Sequence, residues 1–248
     1  MKKMPSMNTP LVALITGANK GIGLETARQL GRKGMHILLS SRDPARGRAS
    51  AEQLKKLGIE VEAVELDVTK PATIRAAAEL VAKRFGRLDV LVNNAAVALD
   101  DKTKPPSGQS LATWRTMFDV NFFGMVEVTQ AFLPLLRQSR AGRIVNLASG
   151  LASITLHTDP TAGFPKNMAV YSVSKTAVTA WTVQLAAELK DTPIKVNACD
   201  PGWVKTDLGG PDAPTEVEDG AKTSVRLATL DENGPSGGFF KGGQPVPW

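Results

Sequence analysis

Between Leu11 and Cys199 the chain alternates short apolar runs with helix-length stretches, and nothing else in it restricts the fold as strongly. Leu11–Thr16, His36–Ser40, Val61–Leu66, Asp89–Val92, Arg143–Leu147 and Ile194–Cys199 are too short for helices and rich in β-branched and aliphatic residues, so they read as buried strands. Helical patterns lie between them: Leu24 to Gly31, a helix opened by Asp43-Pro44, Pro71–Phe85, one long helix over Ser110–Arg137 punctuated by Pro134, Ala169–Leu189, and Thr215–Leu230. Repeated β-α units predict an α/β protein, a single-domain Rossmann-type doubly wound parallel sheet with helices on both faces. Its ligand crevice should lie at the carboxyl ends of the strands. Residues 1–10 read as a flexible leader and 11–248 as one domain, with a Gly-rich end that includes Gly238-Phe-Phe240.

The first strand runs directly into TGANKGIG, Thr16–Gly23. Gly17, Gly21 and Gly23 let this turn bend tightly and bring backbone N–H groups against a pyrophosphate at the N-terminus of the next helix. Asn19, Lys20 and Ile22 complete the turn. The end of the second strand then selects the dinucleotide. An acidic residue there binds a ribose 2′-hydroxyl, and a basic one accommodates a 2′-phosphate. This chain carries Ser40-Ser41-Arg42 at that point and Lys20 in the turn, which predicts NADP(H). Asp43 competes as the acid, but its place before Pro44 suits an N-cap.

Composition narrows the partners. Thirty Lys and Arg against 24 Asp and Glu give a net charge of +6, yet no run of like charges or aromatic-basic stripe marks a nucleic-acid surface. A phosphorylated cofactor is the more economical reading. One cysteine excludes an internal disulfide, and Cys199, inside an apolar strand, reads as inert core. Two distant histidines offer no metal cluster, so no metal is expected. Nothing approaches a membrane span and no apolar segment follows the N-terminal lysines, so no membrane partner and a cytoplasmic location are expected.

Tyr171-Ser-Val-Ser-Lys175 holds the one tyrosine of the chain, four residues before a lysine. On a helix the two share a face. A fixed ammonium beside a phenol favours the phenolate, so Lys175 should draw the pKa of Tyr171 down toward neutrality and make it a usable proton donor to a carbonyl oxygen.

These motifs, taken in order, resemble those of the short-chain dehydrogenase/reductase family, in its carbonyl-reductase-like branch, from Leu11 to the C-terminus. TGANKGIG is similar to the family's cofactor turn, and Asp67 with Val68 in LDV to the residues that hold the adenine. Asn93-Asn-Ala95 stands where the family has NNAG. Asn121 in VNFFG, Ser149 in IVNLASG, Tyr171 and Lys175 correspond to the catalytic tetrad. Pro201-Gly202-Trp-Val204-Lys-Thr206 resembles the segment that clasps the nicotinamide. The resemblance implies NADPH-dependent reduction of a ketone or aldehyde, with Tyr171 giving the proton and Ser149 orienting the substrate oxygen. Lys175 would hold the nicotinamide ribose, and Asn121 would position a water. Alternatives are reduction of 3-oxoacyl thioesters and a non-catalytic NADPH-sensing regulator.

Two departures stand out. Ala96 replaces the last glycine of NNAG and would be strained if that backbone needs a positive φ. Ser149 and Tyr171 stand 22 positions apart, farther than is usual in the family, so about residues 151–169 form an inserted loop. In the resembling branch extra residues here cover a tetramer surface, which implies a monomer or dimer. His157 in the insertion either touches substrate or is a solvated loop residue. Trp203 is either an aromatic pocket wall or core, and about residues 207–220 form either a substrate lid or a plain linker.

Overall fold

The first strand, β1 (Val12–Ile15), sends Val12 and Leu14 into one core and Ala13 and Ile15 into another, the period-two pattern of a strand covered on both faces. The chain continues through α1 (Gly21–Arg32), β2 (His36–Ser41), α2 (Pro44–Lys55), β3 (Val61–Glu65), α3 (Pro71–Phe85), β4 (Val90–Asn93), α4 (Leu111–Phe118) and α5 (Gly124–Leu136). It ends with β5 (Arg143–Leu147), α6 (Ile154–Thr158), α7 (Ala169–Glu188), β6 (Lys195–Cys199), α8 (Val217–Ala228), β7 (Phe239–Lys241) and β8 (Gln244–Pro245). This is a computed structural model that describes residues 10–165 and 167–248. The leader expected over residues 1–10 lies, but for Pro10, outside the described residues.

One sheet of order β3-β2-β1-β4-β5-β6-β7-β8 holds the eight strands of the described residues, parallel except for the closing β7–β8 hairpin. One core packs α3, α5 and α7 on the sheet through Ile74, Val81, Phe132 and Leu185. The other packs α1, α2 and α8 through Leu30, Leu54 and Val225. This is the doubly wound architecture read from the sequence. The strand order reverses between β1 and β4, the switch point at whose carboxyl ends sheets of this kind form their ligand crevice.

Two elements differ from expectation. The single helix over Ser110–Arg137 is two helices joined by a π-helical turn at Asp119–Phe123. The break falls at Asn121, whose amide is drawn to Val97, and not at Pro134, which stays inside α5. A π-turn widens the helix locally and tends to mark a functional position. The Gly-rich end is also more ordered than its composition suggests, because Phe239 and Phe240 pair with Ala198 and Cys199 and extend the sheet. None of the helices among the described residues is long and apolar enough to cross a membrane.

Candidate active site

At the carboxyl end of β1 the chain turns on Gly17 (φ 62°) and Gly21 (φ 55°), a region that favours glycine. A Cβ on Gly23 would lie 2.5 Å from Nδ2 of Asn94, so the turn and the loop after β4 approach too closely for any side chain. Asn94 fastens that approach, donating to the carbonyls of Thr16 at 2.8 Å and Gly17 at 3.1 Å. The amide of Ala95 donates to the Thr16 hydroxyl at 3.0 Å, and the hydroxyl of Ser50 donates to the carbonyl of Asn19 at 2.8 Å. No side chain caps α1 and its first turn holds no acid, so its N–H groups suit an anion.

The end of β2 presents one exposed cation and no unengaged acid. Ser41 is buried, Arg42 is exposed, and the hydroxyl of Ser40 is buried without a partner. Asp43 spends its carboxylate on the N–H groups of Ala45 at 2.9 Å and Arg46 at 3.1 Å, capping α2 as its position before Pro44 predicts. It is therefore not a free acid for a ribose. Lys20 pairs with Asp207 at 2.5 Å, which holds that carboxyl below its usual range. Both groups are well exposed, so a phosphate can displace the pair at little cost. Past β3, the side chain of Asp67 accepts from the N–H and hydroxyl of Thr69. Burial pushes the Asp67 carboxyl up, but those bonds and Lys70 outweigh it and the carboxyl stays below its ordinary value. Val68 is buried beside it, its carbonyl against Gly124 of α5. The residues present thus fit the expected dinucleotide.

Across the crevice the four tetrad candidates converge. Ser149 follows β5, and its hydroxyl accepts from the N–H of Leu151 at 3.2 Å. Tyr171 lies in the first turn of α7, 8 % exposed, against Met117 and Val170. Lys175 is 2 % exposed and donates from Nζ to the carbonyl of Leu147 at 2.7 Å. Asn121 accepts from the N–H of Val97 at 2.8 Å, and donates to the carbonyl of Val97 at 2.9 Å and the hydroxyl of Ser174 at 3.0 Å. Its side chain therefore ties the π-turn to the loop after β4 and to α7.

The electrostatics correct one expectation. Burial pushes the phenol of Tyr171 above its usual value, Asp200 adds to the rise, and the Ser149 hydroxyl beside it pulls the other way. Lys175 does not bring it toward neutrality here, since its Nζ is bound to the end of β5 and lies 5.8 Å from the phenol ring centre. Burial instead lowers Lys175, to about 8. A tyrosine kept protonated is a proton donor; the opposite direction of chemistry would need its anion. Cys199 is buried and its thiol is pushed up by burial, in keeping with an inert core residue.

Several candidates fall elsewhere. The side chain of Asn93 is turned into the interior, donating to Thr129 and Asn146 at 2.9 Å each, and it is Asn94 that meets the glycine turn. Ala96 is unstrained, because no described non-glycine residue has a positive φ. Trp203 is 58 % exposed and clasps the next loop by donating from its indole to the carbonyl of Gly209 at 2.7 Å, so it is not core. His157, on α6, is exposed and bonds the carbonyl of Leu151. Of the segment expected as a lid, residues 217–220 belong to α8, and Val204 bridges Thr215 across its base. Pro201 and Gly202 (φ 81°) open the preceding segment, 201–206, in which Val204 is buried. A Cβ on Gly21 would meet Thr206 at 3.3 Å, so the segment closes directly over the glycine turn. Asn94, Asp100 and Asp200 escaped the sequence reading. An acid between an apolar strand and Pro-Gly was a usable signal for Asp200, since that position borders the crevice.

The model of the short chain dehydrogenase family matches residues 11–216. Carbonyl reductase [NADPH] 1 of Mus musculus is 35% identical over 278 residues, spanning 96% of this chain and 98% of its own. Among solved structures, NADPH-bound carbonyl reductase from chicken fatty liver superposes with a TM-score of 0.84 at 27% identity, covering 97% of this chain and 100% of that one. Salutaridine reductase from Papaver somniferum superposes at 0.82 with 29% identity, covering 93% and 99%.

Proposed function

The chain belongs to the short-chain dehydrogenase/reductase family, and from that membership we propose that it reduces a ketone or aldehyde to an alcohol with NADPH, Tyr171 giving the proton. The observation that carries the reading is a buried tyrosine, held protonated beside a serine hydroxyl, at the crevice of a glycine turn equipped for a 2′-phosphate. The carbonyl-reductase relatives support the same chemistry and cofactor.

NADPH, when bound, supplies the hydride to the carbonyl carbon. The uncapped amides of α1 and the Gly17–Gly23 turn would hold its pyrophosphate, Arg42 with Ser41 its 2′-phosphate, and Asp67 with Val68 its adenine. Lys175 would hold the nicotinamide ribose, and the Pro201–Thr206 segment would close over the nicotinamide. Ser149 donates a hydrogen bond to the substrate oxygen and sets its direction. Tyr171 passes its proton to that oxygen as negative charge gathers there. Lys175, lowered to about 8 by burial, would exchange protons near neutral pH and, through the ribose it holds, replace the one that the tyrosine gives up. An intact, buried Tyr171–Lys175 pair argues against a non-catalytic sensor. Thr176 donates to the carbonyl of Ala152 at 2.8 Å, so the start of the insertion lies along α7.

The test is NADPH consumption by the purified protein over aryl ketones, α-dicarbonyls, quinones and terpenoid ketones, with NADH in parallel. Turnover with NADPH well above NADH is the expected result. NADPH binding without turnover on any of them would overturn it.

A further inference from the structure

The helix that carries Tyr171 does not cap itself. Met168, at the N-cap of α7, offers no side-chain hydrogen bond, and the first turn contains no acid. The cap comes from Asp100, 70 residues earlier in the loop after β4. One carboxylate oxygen accepts from the N–H of Val170 at 2.8 Å and the other from the N–H of Tyr171 itself at 3.2 Å. The same loop is fixed twice more. Asn167 donates to the carbonyl of Lys102 at 2.9 Å, and Asn121 holds both backbone groups of Val97. Val97 and Ala98 pack with Leu151 and Met168 around Tyr171 and Met117.

Ordinary capping needs only a Ser, Thr, Asp or Asn at the N-cap position. Here that position is a methionine, and the oxygens arrive from the wall of the crevice. Hydrogen bonds to an ionised carboxylate are shorter and stronger than neutral ones, and the helix dipole adds to the attraction. The backbone from which the phenol projects is thereby fixed to the loop after β4 as well as to its own helix. Small errors in placing a proton donor lower turnover steeply.

We propose that Asp100 is a positioning residue for the reduction: its carboxylate locks the loop 97–102 to the amides of Val170 and Tyr171, so that the crevice wall and the proton donor move as one piece. This rests on the function proposed above for Tyr171.

The test uses the full chain with ring-labelled tyrosine, whose NMR signal reports Tyr171 alone. Asp100→Ala is compared with Asp100→Ala/Met168→Ser, which restores a local cap without the link to the loop, each read against Met168→Ser alone because Met168 packs around Tyr171. In both variants the ring signal should shift or split and kcat should fall by roughly tenfold. The affinity for NADPH should stay within about twofold of the parent, and the double variant should regain the parent's melting temperature. If the double variant recovers both the ring signal and kcat, Asp100 is only a cap and the proposal fails; an unchanged ring signal in a folded Asp100→Ala would also end it. Should Asp100→Ala not fold, the double variant decides alone. Should the parent turn over no carbonyl, the functional reading fails while the ring signal still judges Asp100.

Discussion

The two walls of the crevice handle charge in opposite ways. On the side built from β1 to β3, the groups suited to the dinucleotide are backbone amides and exposed side chains: Arg42 lies open, and Lys20 and Asp207 pair in water. On the side built from β5 and α7, Tyr171, Lys175 and Asp200 are all less than a tenth exposed. Exposed charges exchange partners cheaply, which suits a site that must bind and release a phosphate. Buried charges hold or surrender protons according to their surroundings, which suits chemistry. Variants in the first wall should therefore alter binding, and variants in the second should alter turnover.

The sharpest way to break this division is Tyr171→Phe. Removing the hydroxyl takes away the proposed donor and leaves the ring packed against Met117 and Val170. Turnover should drop on the order of 10²–10⁴-fold, the usual contribution of a positioned acid. NADPH binding, followed by its fluorescence, should barely change. Turnover comparable to the parent would remove Tyr171 from the chemistry.

Arg42→Ala should do the reverse. A charge-assisted bond to a phosphate is worth about 1.5–3 kcal/mol, so KM for NADPH should rise roughly ten- to a hundredfold. KM for NADH, which lacks the 2′-phosphate, should stay put, and kcat at saturation should be close to the parent's. Equal losses with both cofactors would mean that Arg42 does not read the phosphate and that the open wall is misassigned.

The open wall was also the more legible of the two. A glycine turn, a strand end and an Asp-Pro cap are local patterns, written within a few consecutive residues and dictated by backbone geometry. The strands and their two-faced burial follow from period-two apolar runs in the same way. What escaped depends on groups far apart in the chain. Asn93 and Asn94 are neighbours that alternate across a strand end, so which one faces the crevice is settled by pairing with Asn146 and Thr129. The π-turn at Asn121 goes with the bonds of its amide to Val97, 24 residues away. The behaviour of Lys175 could not be read from its spacing to Tyr171, since a carbonyl of β5 competes for the ammonium. Asp100 has no local signature at all, its partners being 70 and 71 residues away.

Asp200 offers the finest probe of the buried wall. It is 4 % exposed at the end of β6, accepts from the N–H of Gly202 at 2.9 Å, and lies 3.6 Å from Nζ of the solvent-facing Lys241. A Cβ on Gly150 would come within 3.0 Å of its carboxylate, so the anion sits against the turn that presents Ser149. After burial itself, this anion is the main influence raising the phenol of Tyr171. An anion nearby disfavours the phenolate, so Asp200→Asn, which keeps the shape and removes the charge, should let Tyr171 lose its proton at lower pH. With the phenol as the proposed proton donor, the alkaline limb of kcat/KM for carbonyl reduction should move to lower pH; alcohol oxidation, which would draw on the phenolate, should gain at a given pH. At pH 7 the phenol remains protonated in both proteins, so the rate of reduction there should change little. With one tyrosine in the chain, the ultraviolet absorbance of the phenolate follows the same proton directly. A pH profile and phenol titration unmoved by the substitution would mean that the Lys241 ammonium already cancels the charge, and that burial alone keeps Tyr171 protonated.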